Sequence, residues 1–477
     1  MFRNNLYKYI GIGLLSFTYT ACKLPGLTGK SENKAVPASY NESKDTVNIA
    51  QLKWKNYFTD PDLVALIDSA LKNNQELNIT LQEIEIARNE VRARKGEYLP
   101  FVGLRGGAAT EKVGRYTSQG AGDASTEMEP GRAIPDPLPD FLLGAYATWE
   151  VDIWKKLRNA KKAAVARYLS SIEGKNFVIT NLVAEVANSY YELLALDNQL
   201  DIIKKNIDIQ NSALEIVRLQ KLSAKVTELA VRKFEAEVLK TSSLQYEILQ
   251  QITETENRIN FLLGRVPQPI RRNRQDFETL QPRAIQAGIP SQLLENRPDV
   301  KEAELQLAAS KLDVKVARAQ FYPSLGISGS IGARAFDPSF LLKMPESMLY
   351  SLAGDLMAPL INRNAIKATY YSANAKQIQA IYNYERTVLK AYLEVSNQLA
   401  KVDNLGKSYA LKSKQVEALT QSIDVSTDLF KASHADYMEV LLTQRDALES
   451  KFELIETKKQ QMQTVVNIYE ALGGGWK

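Results

Sequence analysis

The sequence predicts a mostly α-helical fold with a smaller membrane-type β component, organised as an internal two-fold repeat. Three observations carry this. The stretch Val91-Arg-Ala-Arg-Lys-Gly-Glu-Tyr-Leu-Pro100-Phe-Val-Gly103-Leu-Arg-Gly106 returns 223 positions later as Val314-Lys-Val-Ala-Arg-Ala-Gln-Phe-Tyr-Pro323-Ser-Leu-Gly326-Ile-Ser-Gly329. Residues 160–263 and 361–472 contain no proline, and each has a single glycine, Gly174 or Gly406. Each of Pro100 and Pro323 ends a helical pattern and is followed by a strand; after Pro323, Leu325, Ile327 and Ile331 alternate with Gly326, Ser328, Ser330 and Arg334, the signature of a strand with one apolar face.

The N-terminus reads as an export signal over residues 1–21. Arg3 and Lys8 form a basic start, Ile10 to Tyr19 is an apolar run too short for a transmembrane helix, and Tyr19-Thr20-Ala21 puts small residues before Cys22. Two readings stay open: a cleaved signal followed by an incidental cysteine, or a segment that resembles a bacterial lipoprotein box in which Cys22 becomes a lipidated N-terminus. Acyl chains there would tether the protein to a bilayer at about 0.8 kcal/mol per buried CH₂. Residues 22–48 are rich in Lys, Ser, Asn and Pro and are expected to be a flexible linker.

The first repeat is expected over 49–263. Thr59 with Asp62 three residues on suggests a capped helix carrying Leu63, Ile67, Ala70 and Leu71 on one stripe. Pro100 stops the helical pattern, and a strand pair follows at about 101–152, its second member alternating Leu143, Ala145, Ala147 and Trp149 with Gly144, Tyr146, Thr148 and Glu150. Then come packed helices, with Val183, Val186, Tyr190, Leu193, Leu200, Ile203 and Ile207 at coiled-coil spacing. The pattern breaks near Leu222 to Glu228 and resumes, so the helical span turns back on itself. After a connection at 264–290 the second repeat, 291–477, uses the same grammar. Asn296-Arg297-Pro298-Asp299 opens a helix, a strand pair lies at about 324–358, and a second hairpin turns near Ser433 to Glu439. The two turns align at an offset of 211, and both hairpins end in Leu-Gly, at Leu263-Gly264 and Leu472-Gly473.

Four strands with an apolar outer face cannot close a membrane barrel, because open edges in lipid leave N–H and C=O groups unpaired. The smallest barrels need eight strands, and a trimer of this chain would supply twelve. Composition narrows the rest. At 477 residues and 45% hydrophobic content the chain can bury large cores. A net charge of +5 without basic clusters interleaved with aromatics argues against nucleic acid. With one histidine, His434, and one cysteine, Cys22, a dedicated Cys/His metal site and an internal disulfide are excluded. A histidine-dependent triad would rest on His434 alone. No convergent set of acid, base and nucleophile is visible, so neither an enzyme nor a cofactor is expected. Arg297 and Asp299 read as helix-terminus electrostatics rather than a catalytic pair.

Taken in order, Trp54…Phe58-Thr-Asp60-Pro-Asp-Leu63, Trp149-Glu-Val-Asp152, Asn296-Arg297-Pro298-Asp299, Ala317-Arg-Ala-Gln-Phe321-Tyr-Pro323-Ser and Ala471-Leu472-Gly473-Gly474-Gly475-Trp476 resemble the outer-membrane efflux proteins, specifically their lipoprotein branch. The resemblance covers Trp54 to Trp476. It implies a homotrimer with one twelve-stranded transmembrane barrel, a periplasmic α-helical tunnel and a mixed belt around the tunnel. It further implies a passive exit duct serving a periplasmic adaptor and an inner-membrane RND-type pump. In this family acidic residues on the second repeat's inner helices close the periplasmic end, which makes Glu439 a candidate gate residue; Leu442 stands where a second acid often follows. For Glu439, and more strongly for Glu228, a solvated helix charge is the competing reading. Lys155 stands where the family has glycine. Other functions consistent with parts of the pattern are a type I secretion duct for polypeptides, a periplasmic adaptor, or a structural coiled-coil lipoprotein.

Overall fold

The computed structural model describes residues 25–40, 46–273, 277, 279–432 and 434–477. The expected signal peptide, Cys22 and Ser433 lie outside the described residues. Numbering only the helices longer than ten residues, α1 is Pro61–Asn73, α2 Gln75–Glu97, α3 Lys156–Leu222, α4 Glu228–Leu262, α5 Pro298–Ala319, α6 Asn364–Lys431 and α7 Tyr437–Ala471. The strands of the main sheet are β1 Phe101–Glu111, β2 Leu138–Val151, β3 Ser324–Ala335 and β4 Met348–Met357. At 67 and 68 residues, α3 and α6 each extend about 100 Å along the helix axis. The chain forms two compact units, each drawing segments from both repeats. One comprises Met1–Ser31, Glu85–Leu169 and Leu305–Tyr382; the other comprises Glu32–Ile84, Ser170–Glu304 and Asn383–Lys477.

The first unit contains the sheet, with strand order β1-β2-β3-β4 and every neighbouring pair antiparallel. Register decides its chemistry. Val102, Leu104 and Ala108 share a face with Phe141, Leu143, Ala147 and Trp149, with Leu325, Ile327 and Ile331, and with Tyr350, Leu352 and Leu356. The other face carries Arg105, Tyr146, Glu150, Ser328, Ser330, Arg334, Ser351 and Asp355. Among the described residues nothing covers the apolar face: Leu104 is 86% exposed and Leu352 82%. On the polar face Arg334 donates from two nitrogens to Asp140, at 2.8 and 2.6 Å. Gly144 sits directly across from Gly332, where a Cβ on Gly144 would lie 2.8 Å from the carbonyl oxygen of Ile331; only hydrogen fits between these backbones.

The duplicated helix-proline-strand stretch folds alike in both copies. The helices end at Glu97 and Ala319, and the strands begin at Phe101 and Ser324. The Trp149 to Trp154 segment ties the two copies together. Trp149 Nε1 donates to the carbonyl of Tyr98 at 3.1 Å in the first, and Trp154 Nε1 to the carbonyl of Pro323 at 2.7 Å in the second, where its ring stacks on Tyr322. Between them, buried Asp152 accepts from the backbone N–H groups of Leu157 and Arg158 and from Arg158 Nε, which satisfies the free donors at the start of α3. Lys155 makes this junction in the left-handed region, at φ 61°, the conformation that glycine adopts without strain.

The second unit packs the helical hairpins. Val183, Val186, Tyr190, Leu193 and Ile203 on α3 are all buried, as the spacing predicts. Ile207 is only half-buried; Asn206 and Gln210 occupy the buried positions instead. Two further expectations are corrected. The cap of α1 is Asp60, not Thr59: Pro61 takes the first helical position and holds the preceding residue extended, so Asp60 Oδ1 reaches the N–H groups of Asp62 and Leu63 at 2.9 and 3.3 Å. The described residues after Cys22 are also not a free linker. Leu27 packs on Phe321 and Tyr370 in the first unit. In the second, Lys34 pairs with Glu304 at 2.6 Å, and Tyr40, only 2% exposed, stacks on Tyr392. Side-chain rings and ion pairs here offset the entropy of ordering a polar segment.

Each repeat closes on its own beginning by the same device. Asn74 Nδ2 donates to the carbonyl of Leu262 at 2.9 Å, and Arg297 Nη1 to that of Ala471 at 2.8 Å, so each side chain caps the last turn of its repeat's final helix. Gly264 and Gly473 follow at positive φ, 64° and 87°; a Cβ on Gly473 would lie 2.7 Å from the carbonyl oxygen of Asn296. The connection 264–290 is anchored by Arg272, which is buried against Asp197 at 2.9 Å and Glu256 at 2.5 Å, and by bridge pairing of Ala287 with Asn48.

Replacing Gly332 with Val is expected to cost about 1–3 kcal/mol by overpacking, read as a lower temperature at which the assembled protein dissociates on a heat-modifiable gel. Arg297→Ala is expected to cost about 1.5–3 kcal/mol, because it removes the charge-assisted hydrogen bonds to half-buried Asp299 and uncaps Ala471. Thermal unfolding followed by circular dichroism measures this loss.

Candidate gate at the hairpin tips

The two hairpins turn through the same hydrogen-bonded loop. Lys225 N donates to the carbonyl of Gln220 at 2.9 Å, and His434 N to that of Leu429 at 2.8 Å, the long bond that closes a helix C-terminus before the chain reverses. Ala224 in the first turn takes φ 57°. Helix boundaries on the two sides correspond at an offset of 209, from Glu228 and Leu262 to Tyr437 and Ala471. The offset of 211 that matches the turn sequences is therefore not the structural one. Glu228 is the first residue of α4 and Glu439 the third of α7, so the two acids are not equivalent by position.

Behind the turns, Leu214 and Val217 of α3, Ala230, Val231 and Phe234 of α4, Phe430 of α6, and Val440 and Leu441 of α7 form one buried apolar cluster. It uses the α7 face that carries Val440, Leu441 and Gln444. Glu439 and Leu442, three residues apart on a helix and therefore neighbours, are left outward, and Leu442 is 40% exposed. Asp446 and Glu449 are exposed on the same stripe. This acidic continuation was not singled out from the sequence; the helical spacing of seven and ten residues from Glu439 is the signal that marks it.

The two candidate acids differ in their surroundings. Glu228 is bracketed by cations: Lys221 hydrogen-bonds its carboxylate and Arg232 Nε lies 2.9 Å from it. The Lys221 hydrogen bond, with the fields of Lys221 and Arg232, holds its carboxyl below the usual range. It is a solvated, ion-paired helix charge. Glu439 has no side-chain partner among the described residues, and its backbone carbonyl accepts from Thr443 Oγ1 at 2.8 Å. An unpaired exposed carboxylate beside an exposed leucine can present both charge and apolar surface to a second copy.

Other expected sites resolve into structure. Arg297 forms a two-pronged ion pair with Asp299 at 2.9 and 2.7 Å and a second with Glu394 at 2.7 Å; all of its donors that point inward are committed to packing the repeat closed. Among the described residues no cluster of three or more His, Cys, Asp or Glu side chains has the geometry to hold a metal ion. Also among them, no helix is long and apolar enough to cross a membrane. The surface suited to lipid is the apolar face of the sheet, where Leu104 and Leu352 stand exposed.

Comparison with known proteins agrees with this arrangement. The family described as "Outer membrane efflux protein" matches residues 66–265 and 289–474. The pyoverdine export outer membrane protein OpmQ of Pseudomonas aeruginosa is 27% identical over 453 residues, covering 95% of this chain and 92% of that protein. The cation efflux system protein CusC of Escherichia coli is 25% identical, covering 90% of each. Among solved structures, a membrane protein from Pseudomonas aeruginosa superposes with a TM-score of 0.84 at 23% identity, over 94% of this chain and 100% of that one. The open state of the Neisseria gonorrhoeae MtrE outer membrane channel superposes at 0.81 and 22% identity, over 96% and 99%. With both repeats matched, the chain belongs to the outer membrane efflux protein family.

Proposed function

We propose that this chain is the outer-membrane exit duct of a tripartite efflux system, acting as a homotrimer with a periplasmic adaptor and an inner-membrane RND-type pump. The observation that carries the reading is a four-stranded sheet with one apolar face, no cover on that face within the protomer, and unpaired outer edges on β1 and β4 among the described residues. Pairing β4 of one protomer with β1 of the next removes the edges and places the apolar face in lipid. Three protomers give twelve strands, and the polar face, with Arg105, Ser328, Ser330 and Asp355, then lines a water-filled lumen.

The long hairpins form the periplasmic tunnel, and transport through it is passive. Relatives carry names that specify pyoverdine, cations and toluene, so one architecture serves unlike cargo. Selection then belongs upstream, at the pump. The gate we assign is the ring of three Glu439 carboxylates with Leu442 one turn behind it. Like charges gathered on an axis repel and attract cations, and three leucines narrow the path. Cys22 is the lipid attachment point in this reading, and the chain beyond it runs packed against the helices from Leu27 to Tyr40.

In planar bilayers the purified trimer is expected to form small cation-preferring pores. Glu439→Ala should abolish most of that preference, seen as a reversal potential moving toward zero in a salt gradient, while Glu228→Ala leaves it unchanged. Pores indifferent to Glu439 would relocate the gate, and a monomer that never conducts would sink the duct. Mass spectrometry of the mature N-terminal peptide is expected to show an acylated Cys22. Cys22→Ser should release the N-terminus from acylation but leave the trimer embedded in the membrane fraction after carbonate washing.

A further inference from the structure

The buried face of α3 is apolar through Val186, Tyr190, Leu193 and Ile203, then turns polar at Asn206 and Gln210 before Leu214 and Val217 restore it. Asn206 is 7% exposed and Gln210 1%. Among the described residues neither Asn206 Nδ2 nor either amide atom of Gln210 has a hydrogen-bond partner. Such groups are costly when left unmatched, and of the two residues only Asn206 borders an open volume.

Asn206 lines a cavity of about 410 Å³ bounded by α3, α6 and α7, within the roughly 300–1,000 Å³ range of small-molecule sites. Its walls are largely aliphatic, with Ile202, Ile209, Val416, Ile423, Leu448 and Leu454. Its charged lining is Lys205, Lys451 and Lys458, with no carboxylate among the lining residues. Lys458 is 2% exposed; its ammonium donates to the carbonyl of Leu280 and lies 5.2 Å from the centre of the Tyr409 ring. Burial, with no acid beside it, pushes its pKa down. Neither Lys205 nor Lys451 makes an ion pair among the described residues. A buried cation without a counter-ion is costly, and three cations facing an aliphatic trough leave one kind of ligand that satisfies both.

We propose that this cavity binds a single-chain anionic amphiphile, a monoacyl carboxylate whose chain lies along the aliphatic wall and whose head group takes the lysine ammonium groups and the free N–H of Asn206. The cavity shares no lining residue with the apolar cluster at the hairpin tips, and its occupancy is read by labelling rather than by the duct's conductance.

The probe is dodecanoate carrying a photoreactive diazirine on its chain, added to the full-length trimer in nanodiscs and mapped by peptide mass spectrometry. Labelling is expected within 202–209, 409–423 and 447–458, competed by unlabelled dodecanoate and not by dodecyltrimethylammonium. Lys451→Gln combined with Lys458→Met should cut that labelling at least tenfold. Leu454→Trp, which fills the trough and leaves every lysine, should do the same, and it guards against a double variant that fails to assemble. Labels confined to the four strands, or undiminished in Leu454→Trp, would overturn the site. Equal competition by the cationic amphiphile would overturn its charge selectivity, and stronger competition by phosphatidylglycerol would overturn the single-chain assignment.

Discussion

The sheet, and with it the assembly, depends on one constraint: in hydrocarbon no backbone polar group can be left without a partner. Within the protomer, β2 and β3 meet this on both sides, whereas β1 and β4 each have one free edge. The register compounds the demand by gathering Leu104, Leu143, Ile331, Tyr350 and Leu352 on one face. A lone protomer would present both a wet edge and a greasy face to whichever solvent it met. Trimerisation answers the first and the bilayer the second, which is why assembly and membrane insertion are two aspects of one requirement.

Once the sheet is fixed in lipid, the junctions below it must hold helices of about 100 Å in register. The Trp149 to Trp154 segment does this with little material: two indole N–H groups reach the two copies of the proline junction, and Asp152 caps α3 between them. At the far end of each repeat a single side chain, Asn74 or Arg297, donates to the final turn of the closing helix. In the second copy, where Arg297 stands in the place of Asn74, Asp299 and Glu394 serve as counter-ions. A buried arginine needs them, since its charge is not removable at any ordinary pH. The acid-base look of Arg297-Pro298-Asp299 is thus the chemistry of a cap.

Charge also distinguishes the two hairpin tips. Glu228 and Glu439 look like counterparts in the sequence, yet one is ion-paired by Lys221 and Arg232, while the other has no side-chain partner among the described residues. Duplication supplied two similar hairpins, and the distribution of cations made them different.

Local physics made much of this legible in the sequence. Proline at 100 and 323 had to end helices, alternation after Pro323 had to make a strand with an apolar face, and proline-free heptad spacing had to make long packed helices. The unpaired edges followed from the strand count, and the family resemblance from the order of the motifs. What the tertiary structure alone decided involves side chains far apart in the chain. Asp60 rather than Thr59 caps α1 because Pro61 sets the boundary. Tyr40 is buried because Tyr392 offers a ring to stack on, which no local pattern encodes. The equivalence of the tips moved from 211 to 209 because the hydrogen bond that closes each turn, and not the likeness of the letters, fixes where the next helix begins. Polar Asn206 and Gln210 carry no signal in a sequence rich in both residue types. Only the packing of α3 places them on its buried face, and burial is what turns an ordinary amide into one that requires a partner.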